Sequence, residues 1–484
     1  MTVDTSRRWI SLYVLCLATL MIVLDMTIVN VALPSIKDDL GFSETSLAWV
    51  VNAYLLTYGG CLLLGGRLGD LLGHRRLFLI GIVLFTLASL ACGVATAKGF
   101  LVAARAVQGI GGAVASAVSL SLMMMLFVEP AERAKAMGIF GFVAAGGGSI
   151  GVVLGGVLTD FLNWHWIFLV NVPIGALVVF LSLRLLPGMP GTARGKRIDL
   201  AGAVTVTGAL ILAIYAIVNG NQAGWTSAQT LGLLGGSAVL LGAFLWIESH
   251  VRSPLVPLRL FRIRNFSVAN IVGVLWAAAM FAWFFLAALY MQFVLGYSPL
   301  QIGLAFLPSS LIMAVFSIGL SAKLVMRFGI SRPLATGLGF AALGLALFIR
   351  LPVDGSFVID VLPSMILLGF GAGMAFNPVL LAAMNDVDQT EAGLASGIVN
   401  TAFMMGGALG LAVLASVAAS RTATLEATES HLEALTGGYH LAFLVGAIFA
   451  ALAATLGGLL LPNSAPAGAG AHEPEAGQLA TAQD

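Results

Sequence analysis

The sequence predicts an all-α membrane protein that crosses the bilayer many times. Of its 484 residues, 59% are hydrophobic and only 9% are charged, whereas soluble domains carry about 25% charged residues. A soluble chain of this size could not cover its surface with so few charges. The composition therefore excludes a soluble enzyme, a disordered scaffold and a secreted disulfide-linked protein. The formal net charge of +1 gives no basis for nucleic-acid binding.

Fourteen apolar stretches are each long enough for a transmembrane helix, which needs about 20 residues. Polar segment 187–197 follows the sixth stretch, and polar segment 249–265 precedes the ninth. These two breaks predict two groups of six helices with an inserted pair between them. The stretches lie near 10–33, 47–66, 77–97, 100–127, 137–160, 167–186, 200–218, 230–248, 266–293, 301–322, 333–350, 361–384, 394–419 and 439–461.

Lys and Arg concentrate in alternate loops, and the positive-inside rule places those loops and both termini in the cytoplasm. Residues 422–436 predict a short amphipathic helix on the outer surface. The predicted organisation is an N-terminal six-helix half at 1–190, a linker with two inserted helices at 191–260, a C-terminal six-helix half at 261–462, and a disordered cytoplasmic tail at 463–484.

A weak internal repeat supports the division into two halves. A shift of 260 residues places Gly109 and Gly111 on Gly369 and Gly371. Secondary transporters build two such halves around a central site. The sequence contains neither a Walker-type ATP motif nor Cys and His residues at metal-ligand spacing. It therefore predicts a transporter that takes no energy from an ATP site of its own.

Two ionisable side chains lie deep inside predicted spans, Asp25 in the first and Arg105 in the fourth. At about 1.5 Å per residue they lie roughly 12 Å and 8 Å below the outer boundary, so they could meet. Charged groups at this depth are costly and are usually paired or functional. Two interpretations stay open on the residues alone: a static ion pair that locks two helices, or a proton-binding Asp25 whose protonation responds to Arg105 or to a cationic substrate.

Several motifs occur in order along the chain: LDMTIVNVALP at 24–34, GRLGDLLGHRR at 66–76 and RAVQGIG at 105–111. Matching segments further along are WHWIF at 164–168, NVPIG at 171–175, LGYSP at 295–299 and GLASG at 393–397. Together, at this spacing, they resemble the major facilitator superfamily and specifically its fourteen-helix drug:proton antiporter family. The resemblance covers most of the chain.

The resemblance implies a major facilitator fold of 14 helices arranged 6+2+6. It implies a secondary active transporter and not an enzyme: a proton-coupled antiporter that exports hydrophobic or amphipathic drugs or antibiotics across the bacterial cytoplasmic membrane. The proton gradient would be the energy source, without a cofactor or metal. The partners would be the organic substrate, protons and the lipid bilayer, with no nucleic acid, and the chain would function as a monomer.

The resemblance also assigns residue roles. It places Asp25 and Arg105 in proton coupling. It makes the loop motif a gate between the halves, although a solvated loop that only sets topology is the alternative for Asp70. The gate residues are Gly66, Asp70, Gly73, Arg75 and Arg76.

The fifth predicted span departs from the family pattern G-P-x-x-G-G, because Val152 stands where the family has proline. Proline removes a backbone hydrogen bond and bends a helix, so the chain lacks that hinge residue. The glycines remain, and their spacing predicts close approach of a neighbouring helix. They are Gly147, Gly151, Gly155 and Gly156.

A central substrate cavity is predicted from polar, aromatic and Met residues in the spans: Asn52, Gln108, Tyr290, Gln292, Asn377, Asn400, Phe403 and Met404. Polar residues in spans also serve simply as hydrogen bonds between helices, which is the alternative for each. The last six spans contain no deep carboxylate, so large apolar compounds with few charges are expected, and flexible Met side chains suit loose recognition.

Other functions stay open at this stage. The same fold could export one defined metabolite, siderophore, amino acid or lipid, and the residues alone do not separate these from drugs. A membrane-embedded enzyme would need a cluster of acid, base or metal-binding residues, which the sparse ionisable residues do not favour. A passive channel does not explain the repeat or the gate motif.

Overall fold

The computed structural model describes residues 5–127, 129–187, 199–251, 254–316, 320–388 and 391–463, and their regular structure is helical. Most of the predicted break at 187–197 and nearly all of the predicted tail at 463–484 lie outside the described residues. The α-helices are α1 (Thr5–Leu40), α2 (Glu44–Leu72), α3 (His74–Gly93), α4 (Lys98–Leu126), α5 (Pro130–Phe161), α6 (Trp166–Leu169), α7 (Asn171–Leu185), α8 (Leu200–Ala223), α9 (Ala228–His250), α10 (Arg264–Leu289), α11 (Pro299–Val315), α12 (Ser321–Phe328), α13 (Ser331–Phe348), α14 (Leu362–Met384), α15 (Ala392–Leu425) and α16 (His431–Leu460).

Short irregular turns join some of these helices. A 3-10 turn at Leu258–Arg262 precedes α10, and π-helical turns at Tyr290–Val294 and Phe357–Val361 follow α10 and precede α14. Serine side chains cap several helix starts: Ser43 accepts from the backbone N–H of Ser46 at the start of α2, which satisfies a donor that the helix leaves free.

In the described part of the chain, twelve helical segments are long and apolar enough to cross a membrane. The fifth and tenth predicted spans correspond to α5 and to α11 with α12, where the shorter apolar helices Ile150–Phe161 and Pro299–Val315 are found. The protein is therefore an all-helical multi-pass membrane protein. The total of fourteen spans and the side on which the termini lie stay predictions.

The prediction of an amphipathic helix at 422–436 is wrong. Helix α15 continues to Leu425, and α16 begins at His431 after a short turn. Ser430 caps α16 by accepting from the backbone N–H of Glu433, and the Glu433 carboxylate in turn accepts from Ser430. This capping box starts the next span at once, so Leu435 packs into the core instead of onto a membrane surface.

The helices pack as two groups with a hairpin between them. Helices α1 to α7 contact one another, as do α10 to α16, while α8 and α9 pair and α8 packs against both α2 and α15. The two groups meet mainly where α2 packs on α15 and α5 packs on α11. A buried core runs through both groups. The predicted bounds of the two halves and of the inserted pair stay a prediction.

Glycines allow the closest helix approaches on α5. A Cβ on Gly155 would lie 2.6 Å from the Ile28 carbonyl oxygen of α1. On the adjacent face of α5, a Cβ on Gly156 would lie 2.7 Å from the Pro299 carbonyl oxygen of α11. Side chains there would force the backbones apart. Helix α5 also runs without interruption through Val152, where the family proline is missing.

The other two glycines of the row also face α1. A Cβ on Gly151 would lie 3.0 Å from the Leu24 carbonyl oxygen, and one on Gly147 would lie 3.1 Å from side-chain carbons of Leu20 and Val23. Three successive turns of α5 therefore rest on α1, the helix that carries Asp25. This contact fixes the position of α1 within the first group.

Candidate functional site

Asp25 and Arg105 meet in the interior of the first helix group. Arg105 donates from Nη1 to Oδ2 of Asp25 at 2.5 Å. Asp25 is 0% exposed and Arg105 is 1% exposed. Because uncompensated charges are costly at this depth, the pair must be satisfied by its neighbours.

The second carboxylate oxygen of Asp25 is also occupied by donors. Gln108 donates from Nε2 to Oδ1 at 2.7 Å, and Asn171 of α7 donates from Nδ2 to the same oxygen at 3.1 Å. The amide oxygen of Gln108 accepts from Arg105 Nη1 at 2.7 Å. An ionised carboxylate only accepts hydrogen bonds, so every contact matches that form. A proton on Asp25 would face donors on both oxygens.

Ser89 of α3 connects the amides behind the carboxylate. Its hydroxyl oxygen accepts from Gln108 Nε2 and from Asn171 Nδ2, each at 3.0 Å, and donates to the Phe168 carbonyl oxygen at 3.0 Å. The hydroxyl thereby uses its one donor and both acceptor positions. The charge network, defined here as Asp25, Ser89, Arg105, Gln108 and Asn171, thus joins α1, α3, α4 and α7.

Helix α2 holds the guanidinium from another direction. Arg105 donates from Nε to the Val50 carbonyl oxygen at 3.0 Å, and its Cζ lies 4.4 Å from the centre of the Tyr54 ring. A guanidinium over an aromatic face is stabilised by the ring quadrupole, more so where water is excluded. The position of Arg105 therefore depends on α1, α2 and its own helix together.

The structure places Gln108 in the charge network, fully buried. Gln108 follows Arg105 by three residues, so both lie on one face of α4. Sequence reasoning missed Ser89, Asn171 and Tyr54. Asn171 begins one of the matching segments, which was a usable signal, but Ser89 is a lone serine in an apolar span and offered none.

The gate motif spans the turn between α2 and α3. Gly73 ends α2 with φ of 90°, a left-handed conformation that favours glycine. Arg75 donates from Nη2 to the Leu183 carbonyl oxygen at 2.7 Å and so ties α3 to the end of α7. Arg76 is exposed, and a Cβ on Gly66 would meet open space. Asp70 lies on α2, but its side chain falls outside the described residues.

The predicted cavity residues of the second group include an aromatic cluster. Phe403 lies 6.0 Å from Phe281 and 5.9 Å from Phe376, measured between ring centres, in edge-to-face contacts. Met404 lies where α15 approaches Gly59 of α2. This apolar surface carries side chains from α10, α14 and α15, close to the contact between the two groups.

The polar residues predicted for the cavity are dispersed. Asn400 donates to the Ser396 carbonyl oxygen of its own helix at 3.0 Å, and Tyr290 donates to the Pro352 carbonyl oxygen at 2.6 Å. Asn52 is 0% exposed, and neither of its amide atoms has a hydrogen-bond partner. Among the described residues, no hydrogen bond joins any two of the predicted polar cavity residues.

The two remaining polar residues predicted for the cavity lie on separate elements. Gln292 lies in the π turn after α10 with an unpartnered Oε1, and Asn377 is half-buried on α14. Within the described ranges, no group of three or more His, Cys, Asp or Glu residues is placed to hold a metal ion. The arrangement that stands out chemically is the charge network around Asp25.

Apolar helices in two groups, with a charge pair buried inside one of them, are typical of membrane transporters. The family model of the Major Facilitator Superfamily matches residues 15–411. The chain belongs to this superfamily of transporters.

Its relatives include drug and antibiotic exporters. The puromycin resistance protein pur8 of Streptomyces alboniger is 40% identical over 466 residues, which cover 94% of this chain and 92% of the relative. The cephamycin export protein CmcT of Amycolatopsis lactamdurans is 40% identical and covers 87% of each chain.

Solved transporters share the fold at low sequence identity. A bacterial homologue of the human lysosomal transporter Spinster, in an inward-facing and unoccupied conformation, aligns with a TM-score of 0.66 and 16% identity. The alignment covers 95% of this chain and 98% of that chain. At this identity the likeness establishes the fold alone.

Proposed function

We propose that the protein is a proton-coupled antiporter that exports hydrophobic or amphipathic organic compounds, including antibiotics. It works by alternating access of two six-helix halves, as a fourteen-span monomer of the bacterial cytoplasmic membrane with both termini inside. No cofactor takes part, and the proton gradient supplies the energy. Relatives named for puromycin resistance and cephamycin export support the substrate class.

The observation that carries the coupling proposal is the donor shell of Asp25. Both carboxylate oxygens accept hydrogen bonds, from Arg105 on one side and from Gln108 and Asn171 on the other. A protonated carboxyl must donate from one oxygen, so it cannot keep this set of partners. Proton binding therefore requires the donors to one of the two oxygens to move away, either Arg105 from Oδ2 or Gln108 and Asn171 from Oδ1.

This requirement gives a route to exchange. In the paired arrangement Asp25 is ionised, and its negative charge balances the positive charge of Arg105. When a donor moves away from Asp25 during the transport cycle, the freed carboxylate oxygen takes a proton, and release of that proton on the other side restores the pair. Proton binding and substrate binding then favour different arrangements of the same helices. Protons are therefore exchanged for substrate, because each transport cycle binds one and releases the other before Asp25 returns to its hydrogen-bond donors.

The substrate surface lies in the second helix group. Phe403, Phe281 and Phe376 form an aromatic cluster, and Met404 lies nearby on α15. The predicted spans of this half contain no deep carboxylate. Apolar and aromatic compounds of low charge match such a surface, and flexible Met side chains tolerate variation in their shape.

The gate motif belongs to the same proposal. Asp70 would hold the two halves together in one state and release them in the other. Asp70→Ala should then insert into the membrane as the parent does and lose most of its transport. Normal transport by this variant would leave Asp70 with a purely topological role.

Inverted membrane vesicles test the function directly. An imposed pH gradient should drive uptake of hydrophobic antibiotics into vesicles that contain the parent protein. Asp25→Asn should abolish the gradient-driven part while it keeps substrate binding, measured by ligand-induced thermal stabilisation. Asp354→Asn, at an exposed position between α13 and α14, is the matched control and should transport normally. Full gradient-driven uptake by Asp25→Asn would falsify the coupling role.

A panel of substrates distinguishes a multidrug exporter from an exporter of one defined metabolite. Proteoliposomes would be exposed to antibiotics, metabolites, amino acids, siderophores and lipids while the internal pH is recorded. Proton flux in response to several unrelated apolar compounds supports a multidrug exporter. A response confined to one metabolite class assigns the same fold to that metabolite.

A further inference from the structure

A second pair of acidic residues is buried far along the chain from Asp25. Asp199 directly precedes α8, and Glu248 lies in the last turn of α9. Because α8 and α9 form a hairpin, these two positions come to the same end of it. Asp199 is 4% exposed and Glu248 is 3% exposed. The proposed transport cycle makes no use of either residue.

Each carboxyl group is fixed by one backbone donor. The N–H of Gly202 donates to Asp199 Oδ1 at 2.7 Å, which caps the start of α8. The N–H of Val256, in the loop after α9, donates to Glu248 Oε2 at 3.0 Å. The other oxygen of each group, Asp199 Oδ2 and Glu248 Oε1, has no hydrogen-bond partner. Buried polar atoms are rarely left in this condition.

The two unpartnered oxygens converge on one point. A Cβ on Gly202 would lie 2.7 Å from Asp199 Oδ2 and 2.7 Å from Glu248 Oε1. The oxygens are therefore separated by at most twice that distance, and the two carboxyl groups face one another. Glycine at position 202 leaves the space in which they face one another.

Two ionised carboxylates cannot hydrogen-bond to each other, because neither has a proton to donate. Buried side by side they also repel, and such pairs keep one proton between them. The charged side chain that faces this pair from α2, within the described residues, is Arg67, and its guanidinium donates to the Pro254 carbonyl oxygen. One shared proton satisfies both unpartnered oxygens at once.

We propose that Asp199 and Glu248 form a second proton-binding site, in which the two carboxyl groups share one proton. The site lies where three segments join: the α8–α9 hairpin, the loop at 254–257 and the end of α2. Val256 links the loop to Glu248, and Arg67 links α2 to the same loop through Pro254. Loss of the proton places two facing negative charges at this junction and weakens it.

Infrared spectroscopy of the purified full-length protein tests the site without any transport measurement. The background is Asp25→Asn, so that Asp25 contributes no carboxyl signal. At neutral pH this parent should show the C=O band of a buried protonated carboxylic acid. Glu248→Gln and Asp199→Asn should each remove that band, because each amide donates to the remaining carboxylate and replaces the shared proton.

Two measurements keep the result unambiguous. Glu429→Gln, at an exposed position between α15 and α16, is the control and should leave the band unchanged. Size-exclusion profiles identify any variant that fails to fold, in which case the other variant of the pair decides. An unchanged carboxylic acid band in a folded Glu248→Gln or Asp199→Asn variant overturns the proposal. That outcome leaves the coupling role of Asp25 untouched, because the vesicle assay measures it separately.

Discussion

Gln108 donates a hydrogen bond of 2.7 Å to Oδ1 of Asp25, the carboxylate oxygen that Arg105 does not bind. Its amide oxygen accepts from Arg105 at 2.7 Å, so one neutral side chain contacts both charges of the pair. Buried polar groups in such a network are costly when left unpartnered, and the members depend on one another. The charge network therefore acts as a unit, and removal of any member affects the rest.

Gln108→Ala should destabilise the protein by about 1–3 kcal/mol, because it leaves one buried N–H of Arg105 without an acceptor and removes one of the two donors to Asp25 Oδ1. Gradient-driven transport should fall as well, since Asp25 and Arg105 lose the residue that positions them. Thermal unfolding of the purified protein and vesicle uptake measure the two effects. Gln222→Ala, near the exposed end of α8, is the control. Parent-like stability and uptake in Gln108→Ala would contradict this prediction.

Arg105→Lys keeps the positive charge and tests whether geometry matters. The guanidinium donates to Val50, Asp25 and Gln108 at the same time, and its Cζ lies 4.4 Å from the centre of the Tyr54 ring. An ammonium group is a point charge without this fork of donors. We expect transport to fall at least tenfold while membrane insertion stays normal.

The matched control for that substitution is Arg421→Lys at the exposed end of α15, which should transport like the parent. Immunoblots of membrane fractions measure insertion, and initial uptake rates in vesicles measure transport. If Arg105→Lys transports at the parental rate, a positive charge alone is sufficient at this position, and transport does not require the donor geometry of the guanidinium.

Gly156→Ala should separate α5 from α11. Its Cβ would meet the Pro299 carbonyl oxygen at 2.7 Å and the Leu300 Cα at 3.0 Å, both backbone atoms that cannot rotate away. We expect greater labelling of a cysteine introduced at Ser298, in a background without native cysteines, by a membrane-impermeant maleimide. Gly242→Ala, on α9 with open space at its Cβ, should leave labelling unchanged. Equal labelling in both variants would show that this contact does not hold the two groups together.

The sequence was sufficient to place Asp25 and Arg105 at a similar depth, because depth in a membrane follows from residue counts along two helices. It was not sufficient for Ser89 and Asn171, whose proximity to Asp25 depends on how α3 and α7 pack beside α1. Helical spacing also puts Gln108 on the Arg105 face, but spacing alone does not say whether that face borders a cavity or a packed core. The sequence also did not predict that the capping box at Ser430 starts α16, which is why residues 422–436 do not form a separate amphipathic helix.

The charge network is built entirely from the first helix group, whereas Met365, the repeat counterpart of Arg105, is fully buried among apolar neighbours in the second. Under the proposed function this separation means that the second half tolerates substitutions more readily than the first. Substitutions along α10, α14 and α15 can change which compounds are accepted without disturbing a single partner of Asp25. An exporter with this division can acquire new substrates by point mutation while its charge network stays the same.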